Sequence, residues 1–261
     1  YVSICYYYNN AVIMQRFSEI LSKANRAEYY KDLSEKILAH YFEKYVLNNE
    51  ITETSQTAYL LPLYFDMLDD KVRENAIKNL EKKIVNNGYK LSTGFLGTGV
   101  LCQTLAKVGL NDLAYSLLLQ EDDPSWLYSV NQGATTIWER WNSYTKSDGF
   151  GDVKMNSFNH YAYGAVAEWM YSTMAGIKPD PESVGFDENF ILAPIPDSQK
   201  RITSVKASYR SIVSEWHYED ECFVWRIVIP DGSAQVEFPL LKTQETVTIN
   251  DIDFTAKDLS G

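Results

Sequence analysis

Near residue 177 the hydrophobic period of this chain changes. Before that point apolar side chains recur every three or four residues. After a connector at 175–189, AGIKPDPESVGFDEN, they alternate in twos. The Pro, Gly and acidic residues of the connector read as a loop between two differently built parts. The expected fold is therefore mainly α with a β tail. Its domains are expected at 1–185 and 186–261.

Residues 26–46 place Tyr30, Leu33, Ile37, Leu38, Tyr41, Phe42 and Tyr45 on one stripe, opposite Glu28, Lys31, Asp32, Glu35 and Lys36. Residues 54–68, TSQTAYLLPLYFDML, are apolar on nearly every side, which predicts a helix packed on both faces despite Pro62. Residues 71–86 are amphipathic again, with Val72, Ala76, Ile77, Leu80 and Ile84 inward and Asn86–Asn87–Gly88 as the stop. One further helix is expected up to Lys107 and another from Asn111 to Leu119. A third is expected from near Ala134, and a fourth from Ser157 to Met174 with Ser157 as its cap. This alternation of dry and amphipathic helices, about eight in all, is the pattern of nested helical layers. A solenoid of helical pairs is the other arrangement such helices allow, but no motif repeats at a fixed period.

Beyond the connector, strands are expected at Phe190 to Pro194, Ile202 to Tyr209, Ser211 to Tyr218, Cys222 to Ile229, Ala234 to Phe238 and Thr246 to Ile249. Phe223, Trp225, Ile227 and Ile229 share one face, and Asp231–Gly232 is a turn signal. Together these strands predict a small antiparallel β module, of a size that leans on its neighbour for stability.

Charge narrows the function. The chain has 24 Lys+Arg against 35 Asp+Glu, a net charge of −11, which argues against a broad nucleic-acid surface. It has no run of roughly 18 apolar residues, so no helical membrane span is expected. The three cysteines, Cys5, Cys102 and Cys222, have no metal-like spacing and imply no disulfide framework. HExxH, CxxC and P-loop patterns are absent, so no metal or cofactor is expected. Gly94, Gly97 and Gly99 are read instead as a close helix or cleft contact. The sequence opens at Tyr1 with YVSICYYYNNAVIM, which lacks a basic leader and a cleavage site and reads as helix interior. The chain is therefore expected to be cut from a longer protein.

Aromatic residues make up 14%, including 19 Tyr and 6 Trp, which suits a cleft for polyhydroxylated ligands and equally suits a core. The richest stretch is 131–164. There Trp138 and Trp141 bracket Glu139 and Arg140. A carboxylate beside aromatic rings can bind sugar hydroxyls or activate water. The competing interpretation is an internal Glu139–Arg140 ion pair beside two core tryptophans. His160 falls in the first turn of the helix expected from Ser157. The dipole there favours neutral imidazole, suited to holding a sugar hydroxyl or to making a local helix-end bond.

The motifs QGATTIWERWN at 132–142 and MNSFNHYAYG at 155–164 resemble bacterial α-L-rhamnosidases of glycoside hydrolase family 78. SQTA at 55–58, TGFLGT at 93–98 and PSW at 124–126 fit the same family in the same order. SVKASYRS at 204–211 and SEW at 214–216 resemble its C-terminal β-sandwich. The resemblance implies a partial (α/α)6 barrel followed by that sandwich. It also implies inverting hydrolysis of terminal α-L-rhamnosides, with Glu139 as general base and His160 contacting rhamnose. Trp126, Trp138 and Trp141 are implied as cleft walls. The substrate would be a rhamnose-containing glycoside or polysaccharide. The family's general acid lies in an acidic, arginine-containing motif upstream of these helices, and no such motif occurs in residues 1–261. The chain alone is accordingly expected to be inactive or weakly active, and to self-associate through exposed barrel edges. The alternatives are another (α/α)-barrel glycosidase or polysaccharide lyase, a non-catalytic carbohydrate-binding protein, and a purely structural helical scaffold.

Overall fold

A computed structural model of the chain describes residues 1–183, 185–186, 189–220, 222–230, 233–239, 246–250 and 252–255. Two compact units appear, Tyr1–Ala167 and Glu168–Gly261. Among the described residues, no helix is long and apolar enough to cross a membrane.

The first unit opens with α1 (Val2–Ile20) and α2 (Ala24–Tyr45). The stripe expected on α2 is real: Ile37 and Tyr41 are buried and the charged face is wet. A short hairpin follows, β1 (Val46–Leu47) and β2 (Glu50–Ile51). Asn48 and Asn49 both take positive φ at its turn, a conformation that Asn tolerates and that suits strand twist. α3 (Gln56–Tyr64) is buried along almost its whole length, and Pro62 sits inside it. Ser55 caps α3 by accepting the Ala58 N–H at 3.1 Å. α4 (Asp70–Asn86) buries Val72, Ala76, Leu80 and Ile84, and its cap is Asp69, which accepts the Val72 N–H at 3.0 Å. Gly88, at φ +66°, supplies the stop expected there.

α5 (Phe95–Lys107) buries most of its middle, Gly97 to Leu105, and Gly97 explains how it approaches α3. A Cβ on Gly97 would collide with the Thr57 hydroxyl and crowd Thr93. Of the three glycines read as a close helix or cleft contact, Gly97 makes one, while a Cβ on Gly94 or Gly99 would meet nothing within 4 Å. α6 (Asn111–Leu118) and the short α7 (Trp126–Asn131) follow, α7 being capped by Ser125. Wet α2 and α4 alternate with the more buried α3 and α5 in a helix-rich arrangement that closes no barrel among the described residues. α1 leaves Val12, Ile13, Met14, Phe17 and Ile20 exposed, as is Leu21 just after it.

The two helices expected next do not form as drawn. No helix starts near Ala134, and none starts at Ser157. Gly133 turns the chain at φ +87°. Residues 137–139 then bond to 157–160: Glu139 N–H donates to Ser157 O at 2.9 Å, and His160 N–H to Ile137 O at 2.8 Å. Backbone groups spent across the loop cannot make i→i+4 bonds. A second hairpin, β3 (Tyr144–Thr145) and β4 (Gly149–Phe150), lies between these segments. Helical structure resumes only at the 3₁₀ turn Ala162–Ala165, then α8 (Val166–Trp169) and a π turn at Met170–Met174.

In the second unit, β5 (Ile177–Pro179) pairs antiparallel with β6 (Asn189–Leu192). β7 (Ser204–Tyr209), β8 (Ile212–Glu219) and β9 (Cys222–Val228) form an antiparallel meander. β10 (Ser233–Val236) returns to pair with β6 in parallel, whereas the other pairings among the described residues are antiparallel. β11 (Thr246–Ile249) and β12 (Ile252–Thr255) make a hairpin. The Asp231–Gly232 turn lies outside the described residues. Ile177, Phe190, Leu192 and Ile212 form the core, with Trp225 and Ile227 packed against it, whereas Ile229 falls beyond β9 and is exposed. Trp216 is fully buried and donates Nε1–H to Met174 O at 2.7 Å.

Candidate active site

The loop paired across 137–139 and 157–160 brings the expected residues into one neighbourhood of the first unit. Glu139 is half-buried, and its Oε2 accepts the Ser157 N–H at 2.7 Å. With the Glu139 N–H to Ser157 O bond, this clamps residue 139 at both backbone and side chain. Among the described residues no ion pair joins Glu139 to Arg140, so the internal-pair interpretation finds no contact.

His160 lies outside any helix, so the helix-dipole argument does not apply to it. Its ring stacks on Phe95 at 4.8 Å between centroids, and Nδ1 accepts the Ala162 N–H at 3.4 Å. That contact engages Nδ1 and leaves Nε2 as the ring nitrogen turned to other partners. Ser157, expected as a helix cap, instead closes a local turn, its hydroxyl accepting the Asn159 N–H at 3.2 Å.

The three tryptophans form one frame. Trp141 stacks on Tyr163 at 3.8 Å and meets Trp126 edge-on at 5.4 Å. Trp141 Nε1–H donates to Thr93 O and Trp126 Nε1–H to Tyr163 O, both at 2.9 Å. Trp138 packs edge-on against Phe158 at 5.1 Å. Trp126, Trp138, Trp141, Arg140 and Tyr163 line a pocket of about 260 Å³, together with Ile137, Val130 and the small residues Ser129 and Ala134–Thr136. Glu139 and His160 do not line that pocket.

Tyr163 and Phe95 were not singled out in the sequence, although both lie inside quoted motifs, NHYAYG and TGFLGT. Burial raises the Tyr163 phenol above its ordinary value, and nearby Arg140 pulls it partly back. Tyr163 is therefore a neutral stacking platform. His40 and His217 are exposed, each beside a glutamate, and play no part here.

Among the described residues no cluster of three or more His, Cys, Asp or Glu is placed to hold a metal ion.

A family model described as the bacterial alpha-L-rhamnosidase 6 hairpin glycosidase domain matches residues 1–174. The chain belongs to this family. An alpha-L-rhamnosidase of Formosa agariphila is 38% identical over 261 residues, covering 97% of this chain and 28% of the relative. The Streptomyces avermitilis alpha-L-rhamnosidase crystallised with L-rhamnose superposes with a TM-score of 0.82 at 35% identity, over 89% of this chain and 22% of that one. The alpha-L-rhamnosidase structure from Dictyoglumus thermophilum superposes with a TM-score of 0.85 at 27% identity, over 95% of this chain and 28% of that one. The chain thus spans less than a third of each of these relatives.

Proposed function

We propose that this chain carries the base side of an α-L-rhamnosidase site, in a protein that hydrolyses terminal α-L-rhamnosides with inversion. The observation that supports it most is the clamped Glu139 carboxylate. One oxygen is held by the Ser157 N–H, which leaves the other to take a proton from water. Water adds to the anomeric carbon from the Glu139 side and gives its proton to that carboxylate. The glycosidic bond breaks on the opposite face, where a second carboxylic acid protonates the leaving oxygen. The sugar leaves as the β-anomer. His160, with Nδ1 engaged, presents Nε2 to a sugar hydroxyl. Trp126, Trp138 and Trp141 wall the pocket in which an apolar sugar face would rest.

The second acid is expected from outside residues 1–261. The isolated chain is then inactive or very weak on p-nitrophenyl α-L-rhamnoside, while a longer protein carrying it releases nitrophenol. Proton NMR of the first-formed sugar tests inversion. The proposal predicts β-L-rhamnose before mutarotation. First appearance of the α-anomer would overturn inversion, and equal rates for both forms would overturn the placement of the acid.

A further inference from the structure

A second recess, of about 670 Å³, lies within the first unit, between the start of α3 and the second half of α4. Its volume is in the ~300–1,000 Å³ range of small-molecule sites. Its α4 wall is Asn79, Lys82, Lys83 and Asn86, spaced i, i+3, i+4 and i+7, so four polar side chains share one helix face. Gln56 and Tyr59 of α3 form the opposite wall.

Three observations give the recess its chemistry. Gln56 is buried to 1% exposure, and its Oε1 accepts the Ser92 N–H at 3.4 Å. Its Nε2, also buried, has no partner. A buried donor left unpaired is costly, but Nε2 has almost no exposed surface, so an incoming oxygen meets it only after the side chain turns toward the recess. Second, neither Lys82 nor Lys83 has a carboxylate within ion-pair distance among the described residues. Third, among the described residues no acidic side chain lines the recess, although the whole chain carries a net charge of −11. One acid does stand beside it: Glu50 accepts from Asn79 Nδ2 at 2.7 Å, keeps its charge, and acts on Tyr59 of the opposite wall. The positive end of the α3 dipole opens on the same side.

We propose that this recess binds an anionic sugar unit, a uronate or a sulfated sugar. Lys82 and Lys83 take the acidic group, while the α4 amides Asn79 and Asn86 take ring oxygens and hydroxyls. The sugar part rests on the reading that the protein acts on glycans, and the recess is a site apart from Glu139 and from the tryptophan-lined pocket.

The test is titration calorimetry of the full chain with glucuronate, glucose 6-sulfate, glucose and inorganic sulfate. Saturable binding is expected for glucuronate, for glucose 6-sulfate or for both, at least tenfold tighter than for glucose or for sulfate alone. The arm that binds identifies the acidic group. Lys82→Ala with Lys83→Ala should weaken it at least tenfold. Both lysines lie outside the core, so the double variant keeps its fold, checked by circular dichroism. Failure of both sugar acids to bind would overturn the proposal, as would glucose binding equally. Sulfate binding as well as the sugar acids would reduce the site to an ion site and overturn it too. Binding that survives the lysine changes would place the ligand elsewhere. The readout is binding without turnover, so loss of rhamnoside hydrolysis leaves it untouched.

Discussion

Replacing Trp141 by Phe separates the two things its indole does. The ring stacks on Tyr163 at 3.8 Å, and Nε1–H donates to Thr93 O at 2.9 Å. Phe keeps most of the stack and removes the donor. Thr93 is 2% exposed, so water cannot replace the lost bond. The Thr98 hydroxyl still approaches the same carbonyl at 3.4 Å. The cost therefore falls toward the low end of the ~1–3 kcal/mol for an unsatisfied buried group, or about 1–2 kcal/mol. Trp141→Ala also loses the stack and the Trp126 edge contact; the ring is only half-buried, so the cost falls below that of core Trp→Ala changes, at about 2–4 kcal/mol. Urea unfolding of both variants, followed by far-UV circular dichroism, gives the two values. Equal costs for Phe and Ala, or a cost below about 0.5 kcal/mol for either, would refute the view that Trp141 is anchored at its edge and one face.

Gly97→Val should cost about 1–3 kcal/mol by overpacking α5 against Thr57 and Thr93, and Thr57→Ala in the same chain should restore part of it in the same unfolding assay. In the second unit, Asp197 is fully buried and receives Arg201 Nε at 2.7 Å and Nη2 at 2.8 Å. Burial by itself raises its carboxyl, but the Arg201 bonds and charge outweigh this and hold it below the ordinary aspartate value of about 3.9. That stability is present above the unfolded-state value and is lost as pH falls through the lower folded value, so acid unfolding of this unit should draw on it below about pH 4. Arg201→Met leaves the buried carboxylate to its backbone donors, should cost about 3–5 kcal/mol, and should move acid unfolding to higher pH, read by a pH series of denaturation curves.

Legibility in the sequence followed the reach of each signal. The stripes of α2 and α4 were readable because period 3.6 and burial coincide on one face, and α3 because its apolar residues run all round. Gly97 carried its own reason, a close approach of two helices. The stretch 134–160 was misread as helix starts because its residues are individually compatible with helices. What fixes it is bonding between segments about twenty residues apart, Glu139 to Ser157 and Ile137 to His160, which no local period reports. The β3–β4 hairpin did leave a local trace, Ser147–Asp148–Gly149 with Gly149 at φ +73°, between aromatic residues Tyr144 and Phe150. The parallel return of β10 to β6 joins residues more than forty apart and leaves no such trace. At the candidate site, the identities of Glu139, His160 and the tryptophans were legible as motif. The Ser157 clamp and the Phe95 and Tyr163 platforms came only with the fold.

The most direct test is turnover of p-nitrophenyl α-L-rhamnoside by a longer protein carrying Glu139→Gln, with L-rhamnose affinity and melting temperature measured alongside. Gln retains an oxygen to accept the Ser157 N–H but cannot take a proton from water. The account predicts a kcat lower by about 10²–10⁴-fold. Rhamnose affinity and melting temperature should be close to those of the parent. Unchanged kcat would contradict the role of Glu139 as base. A loss of activity matched by a fall in melting temperature would make it a structural residue instead.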